Sequence, residues 1–375
     1  MQPKKERIIF LDIMRATAVF LMLEGHTVHA LLSNDYRSFD SIVFNIWFTI
    51  RGFTAPIFMF TAGTVFTYLL NKNKDPFFKN IRIKKGLKRV ILLLVVGYLL
   101  RFPTFKLSGI DFITEKQWLT FFAVDALHLI GFGLFSVMIV RYISELTKIN
   151  SLYFYFTGTL IFFLFSPVIN QIQWSDYLPL FFASYLTTNY GSIFPLFPWI
   201  GFILAGAFFG KYLAANGMKN KRKLAVGLAA IGFLSIFLSY SLNLIEGIGE
   251  GKPDFWNSAY SLPFWRIGII LVLNSIVILL TQQITSVPKA VQLYGKHSLV
   301  IYAVHLMIIY GSALFPGLLY VFGETLNVFE CFIVVILLMS AMLLMTWLLE
   351  YYNKNSETIY ATIKSNINKI RPGAK

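Results

Sequence analysis

The chain has 375 residues, of which 57% are hydrophobic and only 14% are charged, and its formal net charge is +15. This composition excludes an ordinary water-soluble domain and is typical of proteins that cross a membrane several times. The single cysteine, Cys331, excludes an internal disulfide bond and any metal site built from several cysteines.

Apolar runs of about 20 residues, the length that crosses a bilayer as a helix, recur along the whole chain. They predict an all-α bundle of about ten transmembrane helices. The predicted spans are 8–32, 43–70, 90–105, 118–141, 151–170, 192–212, 224–244, 262–282, 297–321 and 326–350. Charges interrupt the first apolar run and no small-residue cleavage site follows it, which argues against a cleaved signal peptide.

The segments that connect the spans alternate in charge. Segments 71–89 and 211–223 are strongly basic, and so are the amino terminus and the tail 351–375. The alternate segments are neutral or acidic and lie near 33–42, 106–117, 171–191 and 245–261. Because basic loops stay in the cytoplasm, both termini are predicted to be cytoplasmic, in a multi-pass protein of the cell membrane. The net charge then reflects topology and contacts with membrane lipids, and it gives no argument for a nucleic-acid partner.

A polar stripe runs along the first span. Arg15 and His26 are eleven residues apart, close to three helical turns, so they face one way about 16 Å apart along the axis. Asp12 and His29 lie within about 60° of that line, whereas Glu24 points to the opposite side. A charge near the bilayer centre costs about 2.5–3.5 kcal/mol on insertion scales, so the stripe should face protein or a water-filled cavity. A buried structural pair with two interfacial histidines would explain the pattern too, but a functional pathway is the favoured interpretation.

Two further spans carry histidines inside the membrane. Asp125 and His128 lie three residues apart on one face of the fourth span, and Ser298, Tyr302 and His305 form a stripe on the ninth. Three histidines on three spans could therefore meet inside the bundle. Each of them alone is equally well explained as a hydrogen-bonded structural residue.

Several stretches in order resemble one family. Arg15, ten intervening residues and His26 resemble the signature of the transmembrane acyltransferase superfamily, which includes the bacterial acyltransferase-3 proteins. Five further stretches favour the heparan-alpha-glucosaminide N-acetyltransferase group within it, namely 51–63, the basic run ending at 88–89, 124–131, 197–201 and 295–305. The chain departs from the pattern at Ala16, where a glycine usually follows the arginine. It also has no histidine where the lysosomal enzyme of the group has its catalytic one, so the acyltransferase-3 pattern is the guide to His26.

The resemblance implies one transmembrane acyltransferase domain over 1–375, which moves an acyl group from cytoplasmic acyl-CoA to a hydroxyl or amine of a sugar or glycan on the outer side. Acetyl-CoA is the expected donor, and no metal is expected. His26 would be the general base, because a reference pKa of about 6.5 suits removal of the acceptor's proton. The other candidate catalytic residues are Arg15, Asp125, His128 and His305. The candidates for binding the charged parts of CoA are Arg15, Arg51, Lys84, Lys85, Lys88 and Arg89.

Two other classes of protein remain open. A transporter or flippase for a sugar or lipid-linked intermediate would use the same histidines and acids as a proton relay. A non-catalytic partner in glycan synthesis would explain the spans but not the polar stripe. Binding of intact acyl-CoA separates the acyltransferase from both. The apolar faces of the sixth and tenth spans are compatible with a homodimer as well as with lipid contact.

Overall fold

The computed structural model describes residues 8–103, 111–250, 260–312 and 315–370, with side chains described outside 246–250 and 357–370. Within these residues the protein is helical, with two isolated β-bridges and no strand. The predicted all-α class is therefore confirmed.

The described residues form sixteen α-helices, besides four short 3₁₀ helices. They are α1 (Ile9–Leu31), α2 (Ile42–Arg51), α3 (Thr54–Lys72), α4 (Ile81–Leu100), α5 (Glu115–Phe122), α6 (Ala126–Thr147), α7 (Ser151–Leu164), α8 (Ser166–Gln171), α9 (Leu180–Leu186), α10 (Leu196–Asn216), α11 (Lys221–Glu250), α12 (Ser261–Leu280), α13 (Lys289–Lys296), α14 (Ser298–Tyr310), α15 (Leu318–Phe322) and α16 (Val328–Ile370).

Six helical segments among the described residues are long and apolar enough to cross a membrane. They are Ile42–Lys72, Glu115–Thr147, Leu196–Asn216, Lys221–Ile245, Ser261–Leu280 and Val328–Ser356. Helices α13 and α14 are bent by 80° relative to each other. If this pair counts as one span, the number of candidate spans rises to seven. The prediction of about ten spans is thus confirmed only in part. The polar stripe of α1 and the basic start of α4 keep these two helices outside that set, and the cytoplasmic position of the termini stays a prediction.

Breaks interrupt three of the predicted spans at polar positions. The second span divides between α2 and α3, and Pro56 lies in the first turn of α3. The fourth divides before α6, because the Asp125 carboxylate accepts hydrogen bonds from the backbone N–H groups of Leu127 and His128 and so caps the new helix. The predicted ninth span has its break at its first residue, because His297 lies at the bend that separates α13 from α14. These breaks bring polar side chains into the bundle.

Close packing of α3 against α10 supports the centre of the bundle. A Cβ atom added at Gly206 would lie 1.9 Å from the carbonyl oxygen of Phe60, and one added at Gly210 would lie 2.2 Å from that of Thr64. Only glycine allows backbones to approach so closely, as is common between transmembrane helices. Helix α1 packs against α3, α12, α13, α14 and α16, so much of its polar stripe lies against protein.

Candidate active site

A cavity of about 380 Å³ lies between α1, α3, α4, α6 and the bend between α13 and α14. Four charged side chains line it, from the first half of α1, the middle of α4 and the bend: Asp12, Arg15, Arg89 and Lys296. Aliphatic and aromatic side chains of α3, α4 and α6 form most of the remaining wall, and Ser298 and Tyr302 complete it from α14. The cavity therefore combines a charged end with an apolar body.

A carboxylate on α16 holds Lys296 at the edge of this cavity. Glu350 Oε2 lies 2.6 Å from Lys296 Nζ, and Glu350 Oε1 lies 3.2 Å from Lys289 Nζ. The same carboxylate lies 3.5 Å from His297 Nε2. Since one negative charge serves two lysines, the bend keeps a net positive charge.

The structure divides the basic residues predicted to bind CoA. Arg15 and Arg89 line the cavity together, whereas Lys84, Lys85 and Lys88 are not among its lining residues. Arg89 and these three lysines are all exposed on α4, so their place relative to the cavity distinguishes Arg89, not burial. Lys85 lies one turn before Arg89 on the same face of α4.

Arg51, the remaining basic candidate, lies in a different place. Its guanidinium stands over the Trp47 ring, 5.6 Å from the ring centre, and its aliphatic part lies against Gly25. The Trp47 indole N–H donates a hydrogen bond to the Glu24 carboxylate. Arg51 and Glu24 thus belong to the same end of α1 as His26.

His26 forms a ring cluster with α14, which we call the histidine cluster and define as His26, His305 and Tyr310. The Nδ1 atom of His26 lies 3.2 Å from the Tyr310 hydroxyl oxygen, and its ring meets the His305 ring edge-on at 5.3 Å between centres. His305 is fully buried, and its Nδ1 donates a hydrogen bond of 2.7 Å to the carbonyl oxygen of Ile301. Because a carbonyl only accepts, His305 carries its proton on Nδ1 and keeps Nε2 as an acceptor.

The other predicted histidine, His128, lies in a separate polar group. Its Nδ1 is 2.8 Å from Asp125 Oδ1, and Arg101 Nε lies 3.5 Å from the second carboxylate oxygen. The His128 ring packs on Tyr98, and a Cβ atom added at Gly97 would lie 2.8 Å from its Nε2. His128 is therefore enclosed between α4 and α6. Of the three histidines expected to meet, the described contacts bring two together.

Tyr302 connects these regions. It lines the cavity, its ring lies 5.6 Å from the ring of His305, and only 8% of it is exposed. Its side chain also forms a hydrogen bond with the Asp125 carboxylate. The cavity, the histidine cluster and the Asp125 group therefore meet at one side chain.

Sequence reasoning gave no role in the site to Lys296, Glu350, Tyr310 or Trp47. Of these four residues, Lys296 alone could have been found from the local sequence, because it lies within the stretch 295–305 that carries the family resemblance. Tyr310 and Glu350 contact residues far away in the chain, so no spacing rule could find them. His29 is exposed, one turn beyond His26. Among the described residues, no group of three or more histidine, cysteine or acidic side chains could hold a metal ion.

Comparison with known proteins bears on this arrangement. A family model for the catalytic region of heparan-alpha-glucosaminide N-acetyltransferase matches residues 7–242. The matched region includes Arg15, His26, Arg51, Arg89 and Asp125, and it ends before α14. No curated protein and no solved structure matches the chain.

Proposed function

The chain belongs to the heparan-alpha-glucosaminide N-acetyltransferase catalytic family and is a membrane acetyltransferase, as the order of its motifs predicted. From this premise we propose that it moves an acetyl group from cytoplasmic acetyl-CoA to a hydroxyl or amine of a sugar or glycan on the outer side of the cell membrane. Both termini are cytoplasmic in this proposal, so the starts of α1 and α4 lie on the donor side.

The charge of the cavity supports its use as the donor site. Phosphate groups are bound by arginine and lysine through charge-assisted hydrogen bonds, and the cavity is lined by three cations, Arg15, Arg89 and Lys296, against one carboxylate, Asp12. Its apolar body suits the pantetheine arm and the thioester. At about 380 Å³ the cavity is near the lower end of the roughly 300–1,000 Å³ of small-molecule sites, so the nucleotide would remain at the mouth.

The length of α1 supports a route from this cavity to His26. Because α1 is a continuous helix over Ile9–Leu31, Arg15 and His26 are about 16 Å apart along its axis. An extended pantetheine arm spans roughly 15–20 Å by the same bond geometry that limits chain reach. A CoA whose charged part lies at Arg15 would thus bring its thioester near the histidine cluster.

In the proposed reaction His26 is the general base. With its proton on Nδ1, His26 donates to the Tyr310 oxygen and keeps Nε2 free to accept the proton of the acceptor. The acceptor oxygen or nitrogen then attacks the thioester carbonyl, the carbon–sulfur bond breaks, and the leaving thiolate takes up a proton to give CoA. His305 is the second candidate base, since its Nε2 is also an acceptor.

Asp125 and His128 have a supporting role in this proposal. The Asp125 carboxylate caps α6 and binds His128 and Arg101, so the group fixes the break in the fourth span next to Tyr302. His128 Nε2 faces Gly97 on α4 and not the histidine cluster. We therefore assign Asp125 and His128 to positioning and His26 or His305 to proton transfer.

The observation that carries the proposal is a cavity lined by three cations and by Tyr302, whose ring lies beside His305, which in turn meets His26. A transporter or flippase would need the histidines as a proton relay, but it would need no cavity of this kind for an acyl-CoA. Membership of an acetyltransferase family gives that alternative no support.

Equilibrium binding of labelled acetyl-CoA to the purified, detergent-solubilised protein tests the proposal without knowledge of the acceptor. Free CoA serves as competitor, and Arg89→Gln is compared with Lys84→Gln, which removes an exposed charge from the same helix. We expect saturable binding that Arg89→Gln weakens and Lys84→Gln leaves within about twofold, as for a weakly acting surface charge. Absence of binding in a folded sample would contradict the proposal and favour the transporter.

A further inference from the structure

The end of the cavity nearest the histidine cluster is bounded by the ring of Tyr302. We propose that Tyr302 sets the length of the acyl group that the protein accepts, by limiting the donor to an acetyl group or one only slightly longer. This inference rests on the proposed function, because it assumes that the cavity binds an acyl-CoA.

The position of Tyr302 along α14 supports this role. Ser298, one turn earlier, lines the same cavity, and His305, one turn later, belongs to the histidine cluster. Tyr302 is therefore the residue of α14 that both lines the cavity and contacts the cluster. An acyl group that extends from the cavity towards the histidine cluster therefore meets this ring.

The ring is also held in place. One edge lies against His305, whose own Nδ1–H is fixed to the backbone of α14. The side chain also forms a hydrogen bond with Asp125, a carboxylate that caps the start of α6 and lies 3.5 Å from Arg101. Protein interiors are close-packed, so a buried ring with contacts on several sides cannot swing aside for a longer chain without displacing its neighbours. A long acyl chain is thus excluded, whereas an acetyl group needs no movement.

Changing the size of this side chain should change which acyl-CoA binds best. In Tyr302→Ala the lost ring leaves room for further methylene groups, and burial of each methylene is worth about a fourfold change in affinity. Butyryl-CoA has two more methylenes than acetyl-CoA. We therefore expect its dissociation constant, relative to that of acetyl-CoA, to fall by about 15-fold in Tyr302→Ala. In Tyr302→Phe the ring remains, so the acyl-CoAs should keep the wild-type order of affinities. This holds even if loss of the hydroxyl changes turnover.

The experiment is displacement of labelled acetyl-CoA by unlabelled acetyl-, butyryl- and hexanoyl-CoA from the purified full-length protein. Tyr320→Ala is the matched control, because it removes the same side chain from an exposed position on α15. The inference predicts that wild type, Tyr302→Phe and Tyr320→Ala prefer acetyl-CoA, and that Tyr302→Ala shifts the preference towards butyryl-CoA.

An unchanged donor order in a Tyr302→Ala protein that still binds acetyl-CoA overturns the inference and leaves the proposed function intact. If Tyr302→Ala does not fold, Tyr302→Leu opens a smaller space and is judged by the same displacement series. An unchanged order there overturns the inference as well. Failure of the wild-type protein to bind acetyl-CoA at all contradicts the proposed function, and the inference with it.

Discussion

The two ends of α1 contain polar groups of different kinds. At its start, Arg15 shares a cavity with Arg89 and Lys296, which are charged groups on separate helices. Towards its end, His26 lies among rings, with Tyr310 at Nδ1 and His305 edge-on. Of the cations nearby, Arg51 is placed over Trp47 and close to Glu24, and Arg37 donates hydrogen bonds to the carbonyl oxygens of His29 and Leu32. The cavity end thus gathers groups of fixed charge from several helices, whereas the other end adds rings that can gain or lose a proton.

This difference indicates that the two ends of α1 have different functions. Arginine stays ionised at any physiological pH, so the cavity end is suited to holding an anion. The imidazole nitrogens of His26 and His305 can accept and donate protons, so the other end is suited to moving a proton. Substitutions at the cavity end should therefore change the donor concentration that is required, and substitutions in the histidine cluster should change turnover at saturating donor.

The largest effect is expected for His26→Ala. Loss of a general base lowers turnover by about 10²–10⁴-fold. Acetyl-CoA binding should stay within about threefold, because His26 lies roughly 16 Å from the cationic end of the cavity. Transfer assays at saturating donor, together with equilibrium binding, measure the two quantities. The control is His29→Ala, which removes an exposed histidine one turn further along α1. Turnover that survives in His26→Ala would move the role of base to His305.

The second-largest effect is expected when the cations that line the cavity are substituted. Arg15→Gln and Arg89→Gln should each raise the KM for acetyl-CoA by about tenfold or more, since a hydrogen bond to a charged group is worth about 1.5–3 kcal/mol. Turnover at saturating donor should change much less. Lys84→Gln, an exposed position on α4, is the control. An equal rise in KM for Lys84→Gln would show that the whole basic run attracts the donor and would remove the distinction between cavity and surface.

A smaller effect is expected for Tyr310→Phe. The hydroxyl within 3.2 Å of His26 Nδ1 is lost, and a hydrogen bond of about 1 kcal/mol corresponds to a roughly fivefold fall in turnover. The KM for acetyl-CoA should not change, because Tyr310 is not among the cavity residues. Tyr320→Phe, at an exposed position, controls for loss of a hydroxyl. A change in KM alone would contradict a role for Tyr310 in holding the base.

The smallest effect is expected for Glu350→Gln. Lys296 loses the carboxylate 2.6 Å away, so the positive potential at the cavity rises and the KM for acetyl-CoA should fall by about twofold, the scale of a partly exposed ion pair. Added salt should reduce the difference, because it screens charges at the surface. Glu330→Gln, at the start of α16, is the control. A rise in KM would show that Glu350 acts by ordering Lys296 rather than by neutralising it.

Much of the architecture near α1 could be predicted from local pattern. The predicted span 8–32 matches α1 at Ile9–Leu31 closely, and the charge of Arg51 and the helix-breaking Pro56 lie inside the apolar run 43–70, where α2 ends and α3 begins. The predicted span 297–321 is less accurate, because α14 ends at Tyr310 and Gly311 follows with φ of +82°. Hydropathy is an average over many residues, so it locates an apolar segment without showing where the helix inside it ends.

By itself, the sequence determined the all-α membrane class, the family and the stripe that joins Arg15 to His26, because composition, motif order and helical periodicity are properties of the chain alone. The tertiary structure decided which residues meet. Periodicity shows which side chains share a face of one helix, but not which other helix that face contacts. For this reason Arg89 lines the cavity while Lys84 and Lys88 in the same basic run do not. For the same reason His26 lies beside Tyr310, 284 residues away, and not beside His128.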